Sequence, residues 1–183
     1  TDAALADAHA AWMAGDRPRA IALLTAFAAA APDDARVWAR LGAYGLEAAR
    51  NDEALIWLNN AVARAPGDAA SWTNLGTAWL RTARPVEAIV AYRNALKIDA
   101  AALSAQLNLG NALQQVGDID GAVAALEAAR ALDPDSHQLQ NNLGNLYKEQ
   151  GRLDDACASY DAARRAVPDF RPAWSNLLAA TKL

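Results

Sequence analysis

The side chains whose type and spacing could do chemistry here are amides. Asn74, Asn108, Asn142 and Asn176 recur at an interval of 34 residues. A carboxamide carries N–H donors and an acceptor oxygen, so it can pair with both halves of a peptide unit, reading main chain and not side chain. Each such bond contributes about 0.5–1.5 kcal/mol net, so one rung is negligible and several in register are needed. Thr77, Asn111, Gln114, Gln115, Gln138, Asn141, Asn145 and Lys148 flank the ladder and complete the candidate peptide-binding set. A second reading stays open at this level: the same amides suit a solvated helix face.

Other reactive groups give no constellation. Cys157, the single cysteine, cannot form an internal disulfide, and it occupies the place held by Ile21, Leu55, Ile89 and Val123 in other repeats. That predicts a buried small hydrophobe, not a nucleophile. His9 and His137 have no second ligand at metal spacing. Phosphate loops, nucleophile elbows and dinucleotide fingerprints are missing. Asp154-Asp155 open a helix, where acids favour the dipole. No catalytic, cofactor-binding or metal-binding residue is predicted, and the chain is read as a non-enzyme.

The net charge of −4 argues against nucleic acid or an anionic membrane surface as partner. The longest apolar run, LLTAFAAAA near Leu23, falls well short of the ~18–20 residues a membrane span needs. The chain starts at Thr1 with neither an initiating Met nor a signal peptide, so an excised domain or a processed product is expected. A cytoplasmic setting is favoured, with the periplasm open if a leader was removed. The Ala- and Arg-rich usage fits a GC-rich bacterial gene.

What must position the amides is a repeated pair of helices. Leu41-Gly42, Leu75-Gly76, Leu109-Gly110 and Leu143-Gly144 keep the same interval as the ladder. With Gly42 as position eight, first helices carry an apolar stripe at positions four, seven, eight and eleven, as in Trp72, Leu75, Gly76 and Trp79. Second helices carry Ala54/Leu58/Ala61, Ala88/Tyr92/Ala95, Ala122/Leu126/Ala129 and Ala156/Tyr160/Ala163. Gly15-Asp16, Gly117-Asp118 and Gly151-Arg152 break between helices, and Pro32, Pro66, Pro134 and Pro168 close units, with Asp or Ser nearby to cap the next helix. Positions two, six, nine and thirteen lie opposite the apolar stripe, and this polar row holds the ladder at position six.

At these residues the chain resembles the tetratricopeptide repeat family, with its W-x₂-L-G-x₂-Y, A-x₃-F and P landmarks. The resemblance covers practically the whole chain. It implies an all-α, right-handed superhelix in which first helices line the concave face. Repeats are expected at 1–34, 35–68, 69–102, 103–136 and 137–170, with a closing helix over 171–183, all in one solenoid. The ladder is similar to the asparagine ladder in the superhelix of O-linked N-acetylglucosamine transferase, which implies a grip on protein main chain. Arg36 and Arg40 resemble the basic pair with which some members hold a terminal carboxylate, but Ala6 at the preceding ladder position leaves that clamp incomplete, and solvation is the favoured reading.

Four local expectations follow. Glycine at position eight lets the two helices of a unit approach closely. Leu178 at that position would not tolerate a second helix against it. Asp99-Ala100-Ala101-Ala102, lacking Pro and Gly, is the expected irregularity. Trp38, Trp72 and Trp174 are read as core, while Trp57 is the tryptophan most suited to partial exposure, although packing is its favoured role. The functional expectation is a protein-interaction module binding a protein or extended peptide, without membrane insertion. The substrate-recognition part of a larger enzyme, such as an O-linked glycosyltransferase, and a self-assembling scaffold are the alternatives.

Overall fold

The computed structural model describes residues 2–180; Thr1 and residues 181–183, the end of the expected closing helix, lie outside the described residues. Among the described residues there are eleven α-helices and no strand. The chain divides into two compact units, Thr1–Ala100 and Ala101–Leu183. The division falls in the Asp99–Ala102 stretch. Its local chemistry is weak: Ala102 has no side-chain oxygen to cap the helix it precedes, whereas Asp34 and Asp68 accept from the backbone N–H of Arg36 (3.1 Å) and Ser71 (3.2 Å).

The first unit holds three helix pairs: α1 (Asp2–Met13) with α2 (Arg17–Ala30), α3 (Ala35–Glu47) with α4 (Asn51–Arg64), and α5 (Ala69–Arg81) with α6 (Pro85–Ile98). The second holds α7 (Leu103–Gln115) with α8 (Ile119–Leu132), α9 (His137–Glu149) with α10 (Leu153–Ala166), and α11 (Arg171–Ala180) packed on α10 and α9. Short turns make the partners in each pair antiparallel. In unit 1 two apolar clusters form the core. Ala8, Ile21, Leu24, Val37, Leu41 and Trp57 belong to one; Leu46, Leu58, Val62, Leu75 and Ala91 belong to the other.

The close approach within a pair is visible at position eight. A Cβ on Gly76 would sit 2.5 Å from the Tyr92 ring, and one on Gly144 would sit 2.5 Å from the Tyr160 ring. Leu58 and Leu126 fill the same gap over Gly42 and Gly110. Leu178 is 58% exposed on α11.

The tryptophans depart from expectation. Trp38 and Trp72 are only half-buried and Trp174 is exposed; each indole N–H donates to the carbonyl of the proline closing the preceding unit, Pro32 (2.7 Å), Pro66 (2.9 Å) and Pro168 (2.8 Å). Gln140 does the same to Pro134 at 3.0 Å. Position four is therefore a tether from first helix to preceding turn, which demands a long N–H donor and not simply an apolar group. Trp57 is 9% exposed, packed beneath Gly45. Cys157 is half-buried, as is Leu55 at the same place, whereas Ile21, Ile89 and Val123 are buried.

The turn between paired helices needs a left-handed residue. Gly117 fills it with φ of 80°, but Ala49 and Ala83 take the equivalent place with φ of 58°. An L-residue there costs roughly 1–2 kcal/mol that glycine avoids. Ala49→Gly and Ala83→Gly are each expected to stabilise the fold by about 0.5–1 kcal/mol, after the extra chain entropy of glycine is subtracted. Chemical denaturation checks this, and a lowered midpoint in both variants would contradict it.

Candidate functional site

The polar row lies on first helices, and each unit presents its own share. In unit 1, α5 carries Asn74 and Thr77, both half-buried. In unit 2, α7 carries half-buried Asn108 and exposed Asn111, Gln114 and Gln115. On α9, Gln138 is exposed and Asn142, Asn145 and Lys148 are half-buried, while α11 contributes half-buried Asn176. Asn141 is 8% exposed, so it offers less surface than its place in the sequence suggests.

The amides differ in what holds them. Among the described residues, the side chains of Asn74, Asn108 and Asn142 make no hydrogen bond within the protein. Asn176 does: its Nδ2 donates to Asn141 Oδ1 at 3.0 Å and to Asn145 Oδ1 at 3.1 Å. Both its N–H groups are thereby engaged, and only its oxygen is left to accept. Asn145 is the complement. Its oxygen also receives the Tyr160 hydroxyl at 2.9 Å, so its N–H groups are what it can offer a ligand. A donor at Asn145 beside an acceptor at Asn176 suits one peptide unit, C=O to the former and N–H to the latter. Gln114 Nε2 lies 3.5 Å from Glu149 Oε2, a weak contact that leaves the amide oxygen exposed.

Two tyrosines behind the row escape the sequence reading. Tyr92 and Tyr160 come from second helices, pass through the gap left by glycine at position eight, and reach position nine of the first helix. The Tyr92 hydroxyl is 3.3 Å from Thr77 Oγ1, which also donates to the Thr73 carbonyl at 3.1 Å. Tyr160 orients Asn145 in the same manner. The signal was present: tyrosine at position 24 faces a polar residue at position nine in both units, whereas Leu58 faces Ala43.

Burial raises the phenol pKa of Tyr92, and burial then neighbouring Cys157 raises that of Tyr160; Tyr147 is raised by burial and by its hydrogen bond to Glu127. A folded-state pKa above the unfolded value makes these groups stabilising below the ordinary phenol range, and that contribution is lost as pH climbs through the folded pKa. Alkaline titration is therefore expected to show tyrosinate absorbance for these rings only above about pH 10, accompanied by loss of helical signal. Ionisation of Tyr92, Tyr147 and Tyr160 at the ordinary phenol pH with helix intact would contradict it.

The two units differ in the charge along their rows. Unit 2 lines its row almost wholly with neutral amides, while unit 1 adds Arg36, Arg40 and Arg81, the last donating to the Leu46 carbonyl at 2.6 Å. Among the described residues no group of three or more His, Cys, Asp or Glu side chains is arranged to hold a metal ion. No described helix is long and apolar enough to cross a membrane.

Known proteins offer three points of comparison. A family profile described as tetratricopeptide repeat matches residues 5–69, 58–103 and 107–169. A search of curated proteins finds no significant match. Among solved structures, a MamA protein shares 21% identity at a TM-score of 0.85, over 90% of each chain. YrrB, described as a TPR protein with an unusual peptide-binding site, shares 20% identity at 0.83, over 98% of this chain and 91% of that one. TTC0263, a thermophilic TPR protein of Thermus thermophilus, shares 22% identity at 0.68, over 100% and 99%. At these identities the likeness is one of fold.

Proposed function

Since this chain belongs to the tetratricopeptide repeat family, we propose that it is a non-catalytic interaction module that binds an extended peptide or protein segment along the polar row of its first helices. One observation carries the reading: Asn74, Asn108 and Asn142, at a common interval, are half-buried, yet their side chains make no hydrogen bond among the described residues. Amides held by a packed helix, partly desolvated and unpaired, gain more from a partner's peptide groups than fully solvated ones would. A merely solvated face has no reason to keep a half-buried amide at the same place in successive repeats.

The Asn145–Asn176 pairing supports the same reading from the other end of unit 2, because the protein has already oriented a donor and an acceptor side by side. Thr77, Asn111, Gln114, Gln115, Gln138 and Lys148 form the surrounding contacts, and Asn141 acts by fixing Asn176. Each unit contributes binding residues of its own, at the same places of a sequence register that runs from residue 1 to residue 170. YrrB, similar in fold, is described as having a peptide-binding site, which fits this class of ligand. Main-chain recognition gives broad selectivity. Simultaneous removal of the three unengaged amides tests it, with the expected outcome argued in the Discussion.

A further inference from the structure

Beside Gln140 the protein lacks a ring that its other repeats supply. Position four carries an indole at Trp38, Trp72 and Trp174, each tied by its N–H to the carbonyl of the preceding proline. Gln140 makes the same tie to Pro134 at 3.0 Å but brings no ring. We propose that unit 2 holds an anchoring cleft for one aromatic side chain of a protein partner, an indole above all. The cleft lies on the side of α9 away from the polar row, because positions four and eleven, Gln140 and Tyr147, belong to the opposite stripe.

The setting of the missing ring is kept. Arg164 stands ten residues before Trp174, is ion-paired to Asp161 at 2.5 Å, and has its guanidinium carbon 4.6 Å from the indole centroid. Arg130 stands ten residues before Gln140, with Glu127 placed as Asp161 is before Arg164. Here the ion pair is loose, at 3.8 Å, and among the described residues no ring lies under the guanidinium.

The backing is cut away to match. The repeats of Trp38 and Trp72 carry Ile56 with Asn60, and Val90 with Asn94, on their second helices; at those places α10 carries Ala158 and Ala162. Arg64, whose guanidinium carbon lies 5.3 Å from the Trp38 ring centroid, has Ala166 as its counterpart. What results is a cleft of about 340 Å³, with Arg130, Gln140, Tyr147, Ala158 and Ala162 in its lining. A second cleft of the same size continues from Ala162 to Pro134 and Ala166. That is room for an aromatic side chain, which buries about 150–250 Å² when enclosed.

The charges select a neutral occupant. Asp155 accepts from Arg152 at 2.8 Å and 2.7 Å, and Glu127 accepts from the Tyr147 hydroxyl at 2.5 Å. Two carboxylates and two guanidinium groups leave the lining without net charge, so it offers little to a phosphate, a carboxylate or an ammonium group. Arg152 already covers the Tyr147 ring, its guanidinium carbon 4.3 Å from the centroid, which leaves Arg130 as the cation for an incoming ring. Gln140 is 7% exposed, and its amide oxygen makes no hydrogen bond among the described residues, so it can accept from an indole N–H. An aliphatic side chain would gain neither contact.

The probe is N-acetyl-tryptophanamide, titrated into the full chain with isotope-labelled alanine methyls and followed by NMR, with N-acetyl-leucinamide as the comparison. The expected result is a shift of the Ala158 and Ala162 methyls that saturates with a dissociation constant of about 1–10 mM, and no such shift with the leucine amide. Arg130→Ala should weaken binding about three- to tenfold by removing the cation over the ring. Gln140→Trp, which returns an indole to this place, should abolish the shifts and raise the melting temperature. The combined Asn74→Ala, Asn108→Ala and Asn142→Ala variant should respond as the parent does, so the cleft and the main-chain reading stand or fall separately. Unmoved Ala158 and Ala162 methyls, equal shifts with the leucine amide, or a response lost in that triple variant would overturn the cleft. So would a response unchanged in both Arg130→Ala and Gln140→Trp.

Discussion

Asn74→Ala, Asn108→Ala and Asn142→Ala combined are expected to weaken peptide binding by between tenfold and a thousandfold, with the melting temperature nearly unchanged. The range follows from three lost hydrogen-bonding side chains at about 0.5–1.5 kcal/mol each, or about 1.5–4.5 kcal/mol together. Stability should hold because these amides make no hydrogen bond among the described residues, and surface changes of this kind stay within about 0.5 kcal/mol apiece. Alanine also favours helix over asparagine, which offsets any small packing loss. Single substitutions should each give less than about tenfold, since one rung contributes little. Asn59→Ala, where Nδ2 donates to the Leu55 carbonyl of its own helix, serves as the control outside the row. Titration calorimetry with a selected peptide reads the affinity. Equal affinity in the triple variant would return the row to the status of a solvated face.

Gly76→Val is expected to destabilise unit 1 by about 3 kcal/mol, at the upper end of typical overpacking costs. The reason is geometric: even a bare Cβ at residue 76 lies 2.5–2.8 Å from three atoms of the Tyr92 ring, and that ring is fully buried with no room to turn. Tyr92→Ala alone should cost about 3–5 kcal/mol through the cavity it leaves. The double variant should be less damaged than the sum, with a coupling of about 1–3 kcal/mol, because the valine enters space the ring has vacated. Melting of a repeat array need not be two-state, so hydrogen exchange across α5 and α6 is the better measurement. Strict additivity would show that the helix pair separates freely and that position eight is not the closest contact between its helices.

These two results probe different layers, and the layers were not equally legible in the sequence. The pairing of helices could be read directly. Leu-Gly at a fixed interval, with tyrosine or leucine sixteen residues on, states a close contact in residue types alone, and Gly76 against Tyr92 realises it. The polar row could be read as well, since helix geometry assigns a face to each position. Position four could not: tryptophan in an apolar stripe reads as core, and only the structure shows its indole tied to a preceding proline carbonyl. Cys157 was placed by analogy with apolar neighbours in register, yet register assigns a direction and not a depth.

What the amino-acid order determined by itself was periodic: which segments coil, where they turn, and which side chains share a face. Those properties depend on neighbours within a turn or two of helix, and the repeat states them several times over. Only the tertiary structure decided which amides are unengaged among the described residues. The partners that settle it lie far off in the chain: Asn176 bonds residues 35 and 31 positions earlier, Tyr160 reaches back 15, and Arg36 finds Asp2 34 positions away. A hydrogen bond is exhausted by whichever group arrives within about 3 Å, and arrival at that distance is a property of packed helices, not of spacing along the chain.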